Sequence, residues 1–305
     1  MTVEWRARDY IAPRYWPTWF LLALLRLCIA LPFRLQLLLG KFLGKVLYLL
    51  LPSRRKIATT NISLCFPDLN RKEKRQLCRQ CFESVGIAAF EMVLGWWGDK
   101  KRLAKLLTIE GLEYIEQAQQ QNRPVLLLSG HVSCSDIGGA LLAQHLSFQV
   151  MYKPAKNKLF ETIMLRSRSQ LFFEMVPRKN SRRLLKNLKN GVATWYAPDQ
   201  NFGRETTVFA PFFGVEAVTL TAPSRIARFA NAVVLPFFPY RLPNARGYRL
   251  LIGPPLQSFP SDNELADAIL VNQTIENAVR IAPEQYLWLH KRFRIRPPGE
   301  PPIYL

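Results

Sequence analysis

Acidic residues and histidines are scarce in this chain of 305 residues. It carries 22 Asp+Glu against 42 Lys+Arg, a formal net charge of +20, and only three histidines, His131, His145 and His290. Such an excess does not specify a fold, but it favours anionic partners: nucleic acid, anionic lipid or an acidic protein. Other absences narrow the choice. There is no helix-turn-helix, zinc-finger or RNP signature, and the basic residues are spread along the chain, so nucleic acid is not expected. Neither a Walker loop nor a dinucleotide fingerprint is present; the stretch from Gly40 to Lys45 lacks the P-loop spacing, and no cofactor is expected. The five cysteines form no framework, and Cys78-x-x-Cys81 stands alone, so neither disulfides nor a metal site is expected. No G-x-S-x-G elbow offers a serine nucleophile. What remains is ample apolar material, 49% of residues, enough for a full core.

Much of it is concentrated near the N-terminus. Residues 16–31 are apolar apart from Pro17, Thr18 and Arg26, and a second apolar run covers residues 35–51. One continuous helix over residues 16–39 would reach roughly 36 Å, enough to cross a bilayer core of about 30 Å. Arg26 and Pro32 disfavour that, whereas two shorter helices lying in the interface tolerate both. On the second run Gln36, Gly40, Lys41, Gly44 and Lys45 make a narrow polar and small-residue stripe. Trp16, Trp19, Arg54 and Arg55 flank the runs as interfacial anchors do. Glu4 and Asp9 precede the first run and no small-residue cleavage site is evident, so a removed signal peptide is not expected. Residues 1–56 are therefore expected to be a membrane anchor that meets membrane lipids, and residues 57–305 a catalytic domain. The basic excess after Leu51 places that domain on the cytoplasmic side.

The remainder alternates. Residues 61–69 read as a loop, and Asn70-x-x-Glu73 as a capping box opening a long helix through about Leu94. Short apolar strands are expected at 125–129, 148–152, 175–177, 193–197, 233–238 and 248–252, with helices at 113–120, 135–144, 159–171, 182–189, 221–230 and 262–281. This α/β alternation predicts a central, largely parallel sheet flanked by helices on both faces, joined to the N-terminal hydrophobic helical segment. Arg292, Arg294 and Arg296 alternate with Phe293 and Ile295, which suggests an edge strand or extended tail with one basic face toward lipid headgroups.

His131 is the histidine placed for chemistry. It follows the apolar strand 125–129 and Gly130 and precedes a helix, so it sits at the C-terminal edge of the sheet, where ligands bind in open α/β folds. Asp136, five residues on, is expected to accept a hydrogen bond from one imidazole nitrogen and leave the other as a general base. H-x-x-x-x-D is a weak signal alone, since a His near an Asp at a helix start is often only a local pair. Cys134 lies between the two but midway round the turn from His131, so direct attack by an acceptor hydroxyl is preferred to a Cys–His dyad. Arg168 is either part of a solvated basic face or a clamp on a phosphate or sugar carboxylate. Asp199, after the strand 193–197, is either a loop cap or a group holding Arg168 or a sugar hydroxyl.

Several segments sharpen this reading: PRYWPTW at 13–19, NISLCFPDL at 61–69, FESVG at 82–86, MYKP at 151–154, WYAPDQNFG at 195–203, VFAPFFGV at 208–215, LPFFP at 235–239 and APEQYLWLHKRF at 282–293. In this order they resemble the late acyltransferases of lipid A biosynthesis, the lauroyl- and myristoyltransferases of Gram-negative bacteria. These belong with the wider lysophospholipid and glycerol-phosphate acyltransferase group. The resemblance covers nearly the whole chain. It implies transfer of a fatty acyl chain from acyl carrier protein to a hydroxyacyl chain of a Kdo-bearing lipid A precursor at the bacterial inner membrane. It also implies that His131 and Asp136 are the catalytic pair, that Arg168 and Asp199 occupy motif positions that bind substrate, and that Arg178 contacts a phosphate. Enzymes of this branch often carry Glu where this chain has Asp136, and Arg where it has Lys153. A glycerol-phosphate or lysophospholipid acyltransferase, or a thioesterase with water as acceptor, stands as the alternative, because H-x-x-x-x-D does not discriminate among acceptors.

Overall fold

The protein is described by a computed structural model covering residues 6–200 and 206–304. After two 3-10 turns, Ala7–Tyr10 and Pro13–Tyr15, come the helices α1 (Trp16–Cys28) and α2 (Phe33–Leu50). The chain breaks between them at Pro32, so the continuous helix over residues 16–39 does not form. Gln36 is buried, and its Nε2 donates to the carbonyls of Ile29 and Leu31 at 3.2 and 2.9 Å; Arg102 donates to the same two oxygens at 2.9 and 2.8 Å. These bonds satisfy carbonyls that the end of α1 would otherwise leave bare. Among the described residues, no single helix is long and apolar enough to cross a membrane.

Helix α3 (Pro52–Cys65) leaves the line of α2 at 98° and runs unbroken across residue 56. Its inner face is Ala58, Asn61, Ile62 and Cys65, a helical i, i+3, i+4, i+7 set. Residues 61–65 are therefore helix, not the expected loop; Pro67 ends the element slightly later. Helix α4 (Arg71–Trp97) opens on the expected capping box. Asn70 Oδ1 accepts from Lys72 N and Glu73 N, and Glu73 Oε2 accepts from Asn70 N at 2.8 Å. The small-residue stripe of α2 is its seam against α4: a Cβ on Gly86 would fall 2.2 Å from the Gly40 carbonyl oxygen and 2.3 Å from Gly44 N. Only glycine permits that backbone approach.

After α5 (Lys100–Ala104) come β1 (Leu107–Glu110), α6 (Leu112–Gln120), β2 (Val125–Leu128), α7 (Ser135–Leu142), β3 (Phe148–Tyr152), α8 (Lys158–Arg168), β4 (Glu174–Pro177), α9 (Ser181–Lys189) and β5 (Ala193–Tyr196). Then follow β6 (Thr207–Phe212), β7 (Val215–Leu220), α10 (Ala222–Ala230), β8 (Val233–Arg241), β9 (Tyr248–Ile252) and α11 (Glu264–Ile281). Among the described residues, seven strands form one sheet in the order β1-β9-β8-β2-β5-β3-β4, parallel throughout except between β8 and β9. Strand β2 lies at its centre and is buried on both faces. Leu126 and Leu128 join the layer of α9, α10 and α11; Val125 and Leu127 join that of α6 and α7. This is the expected layered α/β architecture.

The antiparallel hairpin β6–β7 lies apart from the main sheet and was not expected. It explains the arginines after residue 291. Arg292 is only 3% exposed; its guanidinium donates to the Val218 carbonyl at 2.6 Å and to Thr219 Oγ1 at 3.3 Å. Arg296 donates to the Glu216 carbonyl at 2.7 Å and pairs with Glu300. The expected basic face is thus corrected: residues 292–296 form no strand, and two of the three arginines pin the chain to β7, whose outer edge has backbone acceptors to satisfy.

Candidate active site

The backbone after β2 carries His131 past Ser129 and Gly130, and α7 begins only at Ser135. His131 is therefore not on the helix, and the helical i, i+4 rule does not bring it to Asp136. The next strand in the sheet, β5, ends in register with β2, Leu128 opposite Tyr196, and delivers Asp199 to the same edge. His131 Nδ1 lies 2.5 Å from Asp199 Oδ1, and the His131 backbone N–H donates to Asp199 Oδ2 at 2.9 Å. Gly130 leaves room for this, since a Cβ there would come 3.0 Å from the Ile275 side chain and 3.4 Å from Asp199 Oδ2. The Asp199 side chain is 1% exposed and the imidazole 36%.

The electrostatics follow. Burial pulls the His131 pKa down, but the charge and hydrogen bond of Asp199 more than reverse this, and the net shift is upward. Burial likewise opposes the Asp199 carboxylate; the neighbouring imidazole, the His131 backbone N–H and the Tyr286 hydroxyl overcome it and hold its pKa below the usual carboxylate range. With Nδ1–H committed to Asp199, Nε2 is the imidazole nitrogen left to accept a proton.

Asp136, the expected partner of His131, is bonded elsewhere. Its Oδ1 accepts from Arg168 Nε and NH2 at 3.1 and 2.5 Å and from Trp96 Nε1 at 3.3 Å. Arg168, on the last turn of α8, is thus an ion-pair partner and not part of a solvated face, and Asp199 does not hold it. Cys134 is buried; its thiol donates to the Pro239 carbonyl at 3.2 Å, and burial pushes its pKa up to about 12. A thiolate nucleophile there is strongly disfavoured.

The loop at 131–134 is clamped from outside. The Leu287 N–H donates to the His131 carbonyl at 3.0 Å, and the Ser133 N–H to the Gln285 carbonyl at 2.7 Å. The Ser133 hydroxyl lies 2.7 Å from that of Ser84 on α4. Ser84 also receives Arg241 NH1 at 2.9 Å, and Arg241 forms a buried two-pronged pair with Glu91 at 2.6 and 2.7 Å. Sequence reasoning quoted Ser84 only within the motif at 82–86 and assigned no role to Ser84, Glu91 or Arg241. A glutamate on the apolar face of α4 was the available signal, since a buried carboxylate demands a cation.

His131, Asp136 and Arg168 open onto one cavity of about 750 Å³. One part of its wall is apolar, formed by Val150, Met164, Phe172 and Trp195; another is basic, formed by Lys153, Arg178 and Lys179. Arg178 starts the turn after β4 and so joins the expected site residues on this cavity, while Asp199 stands behind the imidazole.

The chain matches the model of the family described as bacterial lipid A biosynthesis acyltransferase over residues 5–295. It belongs to that family. It is 36% identical to the lipid A biosynthesis palmitoleoyltransferase of Escherichia coli K12 over 300 residues, covering 98% of each chain. It is also 36% identical to the lauroyltransferase of the same organism over 293 residues, covering 96% of each. Identity to the E. coli myristoyltransferase is 28%, covering 96% of this chain and 91% of the other. The protein is accordingly an acyltransferase of lipid A biosynthesis, as the motif order in the sequence led one to expect.

Proposed function

We propose that the enzyme moves a fatty acyl chain from an acyl carrier protein thioester onto a hydroxyl of a hydroxyacyl chain in a Kdo-bearing lipid A precursor. The cavity carries this reading: an apolar wall suited to a fatty chain and a basic rim suited to an anionic glycolipid meet at His131. His131 Nε2 takes the proton of the acceptor hydroxyl as its oxygen attacks the thioester carbonyl. The C–O bond forms, the tetrahedral intermediate collapses with loss of the C–S bond, and the departing thiolate takes the proton back from the imidazolium. Asp199 fixes the tautomer and stabilises the imidazolium. Arg168, oriented by Asp136, and Arg178 hold the phosphates or sugar carboxylate of the acceptor. Mass spectrometry of lipid A precursor incubated with the enzyme and a set of acyl carrier protein thioesters tests this. One acyl increment on the precursor is expected; release of free fatty acid with unmodified precursor would instead identify a thioesterase.

The same reading places the enzyme on the cytoplasmic face of the bacterial inner membrane. Most of the exposed large apolar side chains fall between Ile11 and Leu51. Phe20, Leu24 and Leu27 make one face of α1, and Leu35, Leu38, Phe42 and Leu49 one face of α2. Buried Leu25 seats α1 on Phe90 and Val93 of α4, and Leu39 and Leu43 of α2 pack on the same cluster. Two short helices with outward apolar faces suit a helix pair lying in the interface. Leu24→Gln, Leu27→Gln and Phe42→Gln together should move most of the protein from the membrane pellet to the supernatant in cell fractionation. An unchanged pellet fraction would show that attachment lies elsewhere.

A further inference from the structure

The basic residues that look scattered in sequence are gathered in space at one place outside the active-site cavity. A groove of about 930 Å³ runs between the outer face of α3 and the first turns of α4. Its walls carry Arg55 and Lys56 from α3 and Arg71, Lys74, Arg75 and Arg79 from α4. The α4 cations recur at i, i+3, i+4 and i+8, which is one helix stripe. Arg55 and Arg79 both stand over the Tyr48 ring, 5.0 and 5.8 Å from its centroid. Among the described residues, no carboxylate lines the groove. Of the two nearest in sequence, Asp68 lies outside it, and Glu73 is engaged in the α4 capping box. Among the described residues, none of the six cations is in a salt bridge. Six like charges held this close repel one another, a cost that an anionic partner reverses.

The groove's character distinguishes between partners. Among the described residues, no exposed large apolar side chain lines the groove, and its remaining polar lining is hydroxyl groups: Thr59, Thr60 and Ser63. Its apolar lining, Tyr48, Pro52 and Leu64, is half-buried or small, so it offers a bilayer's acyl region little beside six cations. Two facing basic rows fit an element with carboxylates on more than one side, as an acidic helix has. Helix α3 separates the groove from the active site. Its inner face places Asn61 at a small void that His131 and Asp199 also line, and Asn61 Nδ2 donates to the Trp288 and His290 carbonyls at 2.7 and 2.8 Å. The groove is thus about one helix diameter, on the order of 10 Å, from the catalytic histidine.

We infer that the groove between α3 and α4 is where an acidic, helical carrier protein docks to present its thioester; this rests on the carrier-dependent acyl transfer proposed above. The test is the doubly charge-reversed enzyme, Arg75→Glu with Arg79→Glu, with Arg75→Gln/Arg79→Gln as the milder pair and thermal unfolding as the check on folding. Donor KM, acceptor KM and kcat are measured with acyl carrier protein thioester and lipid A precursor. The expected result is a rise in donor KM of at least tenfold for the Glu pair and a smaller one for the Gln pair, with kcat at saturating donor and acceptor KM within twofold of wild type. Wild-type donor KM should also climb with ionic strength, and the variant's should climb less. An unchanged donor KM overturns the assignment. So does a matching rise in acceptor KM, or loss of sedimentation with phosphatidylglycerol vesicles at unchanged donor KM, either of which gives the groove to lipid. Failure of the underlying reading looks different: wild-type enzyme would then form no acylated precursor from the carrier thioester at all.

Discussion

Replacing His131 with Ala should lower the rate of acyl transfer by roughly two to four orders of magnitude, the usual worth of a positioned general base. Among the described residues, the imidazole is the one group at the cavity with a nitrogen left to accept a proton and a buried carboxylate behind it to stabilise the cation that results. The loss should fall on kcat, with both KM values little changed, because the imidazole's contribution is made in the transition state. Cys134→Ser is the companion measurement. The thiol is buried, bonded to a backbone carbonyl and shifted far from thiolate formation, so this variant should remain active and no acyl-cysteine should be trapped. An inactive but folded Cys134→Ser beside a largely active His131→Ala would mean that acyl transfer runs through the sulfur.

Asp199→Asn should be nearly as damaging. Where a carboxylate fixes the tautomer of a catalytic imidazole, its conversion to the amide has cost about 10⁴ in rate. The amide can turn its NH2 toward Nδ1, which places the ring proton on Nε2 and removes the acceptor. A second readout separates this role from a merely structural one. The Asp199 carboxylate raises the His131 pKa against the downward pull of burial. In wild type the base is therefore protonated, and silent, up to a higher pH than an ordinary histidine. Without that charge burial acts alone, and the acid limb of kcat/KM against pH should move to lower pH in the residual activity. Asp136→Asn should leave the limb in place, since Asp136 bonds Arg168 and Trp96 instead of His131, and should raise the KM of the anionic acceptor. If the limb moved in Asp136→Asn and stayed in Asp199→Asn, the carboxylate next in sequence would be the working partner during turnover.

Local rules sufficed where an element is defined within its own residues. The capping box of α4, the buried run of β2 and the alternation from β2 to α11, apart from the β6–β7 hairpin, were legible because caps, turn residues and periodicity act over a few positions. Strands β1, β6 and β7 were not. The first has four residues, half-buried in alternation, and β6 contains Pro211, which argues against a strand unless one edge is free. The family was legible too, because eight short motifs in a fixed order are far more specific than any one of them.

The wiring of the site was another matter. The sequence by itself determined the layered α/β plan, the two apolar N-terminal runs and the edge of the sheet at which His131 stands. Only the tertiary structure decided which carboxylate faces it. Asp136 is five residues away but begins a helix that starts after the His131 loop has ended, and Arg168 and Trp96 occupy its oxygen. Asp199 is 68 residues away and adjacent, because crossover connections make β5 the lateral neighbour of β2. The six cations of the α3–α4 groove and the seam of Gly40, Gly44 and Gly86 have the same origin. Spacing along a chain reports neighbours only within one helix or strand; between elements, neighbours are set by how buried faces pack.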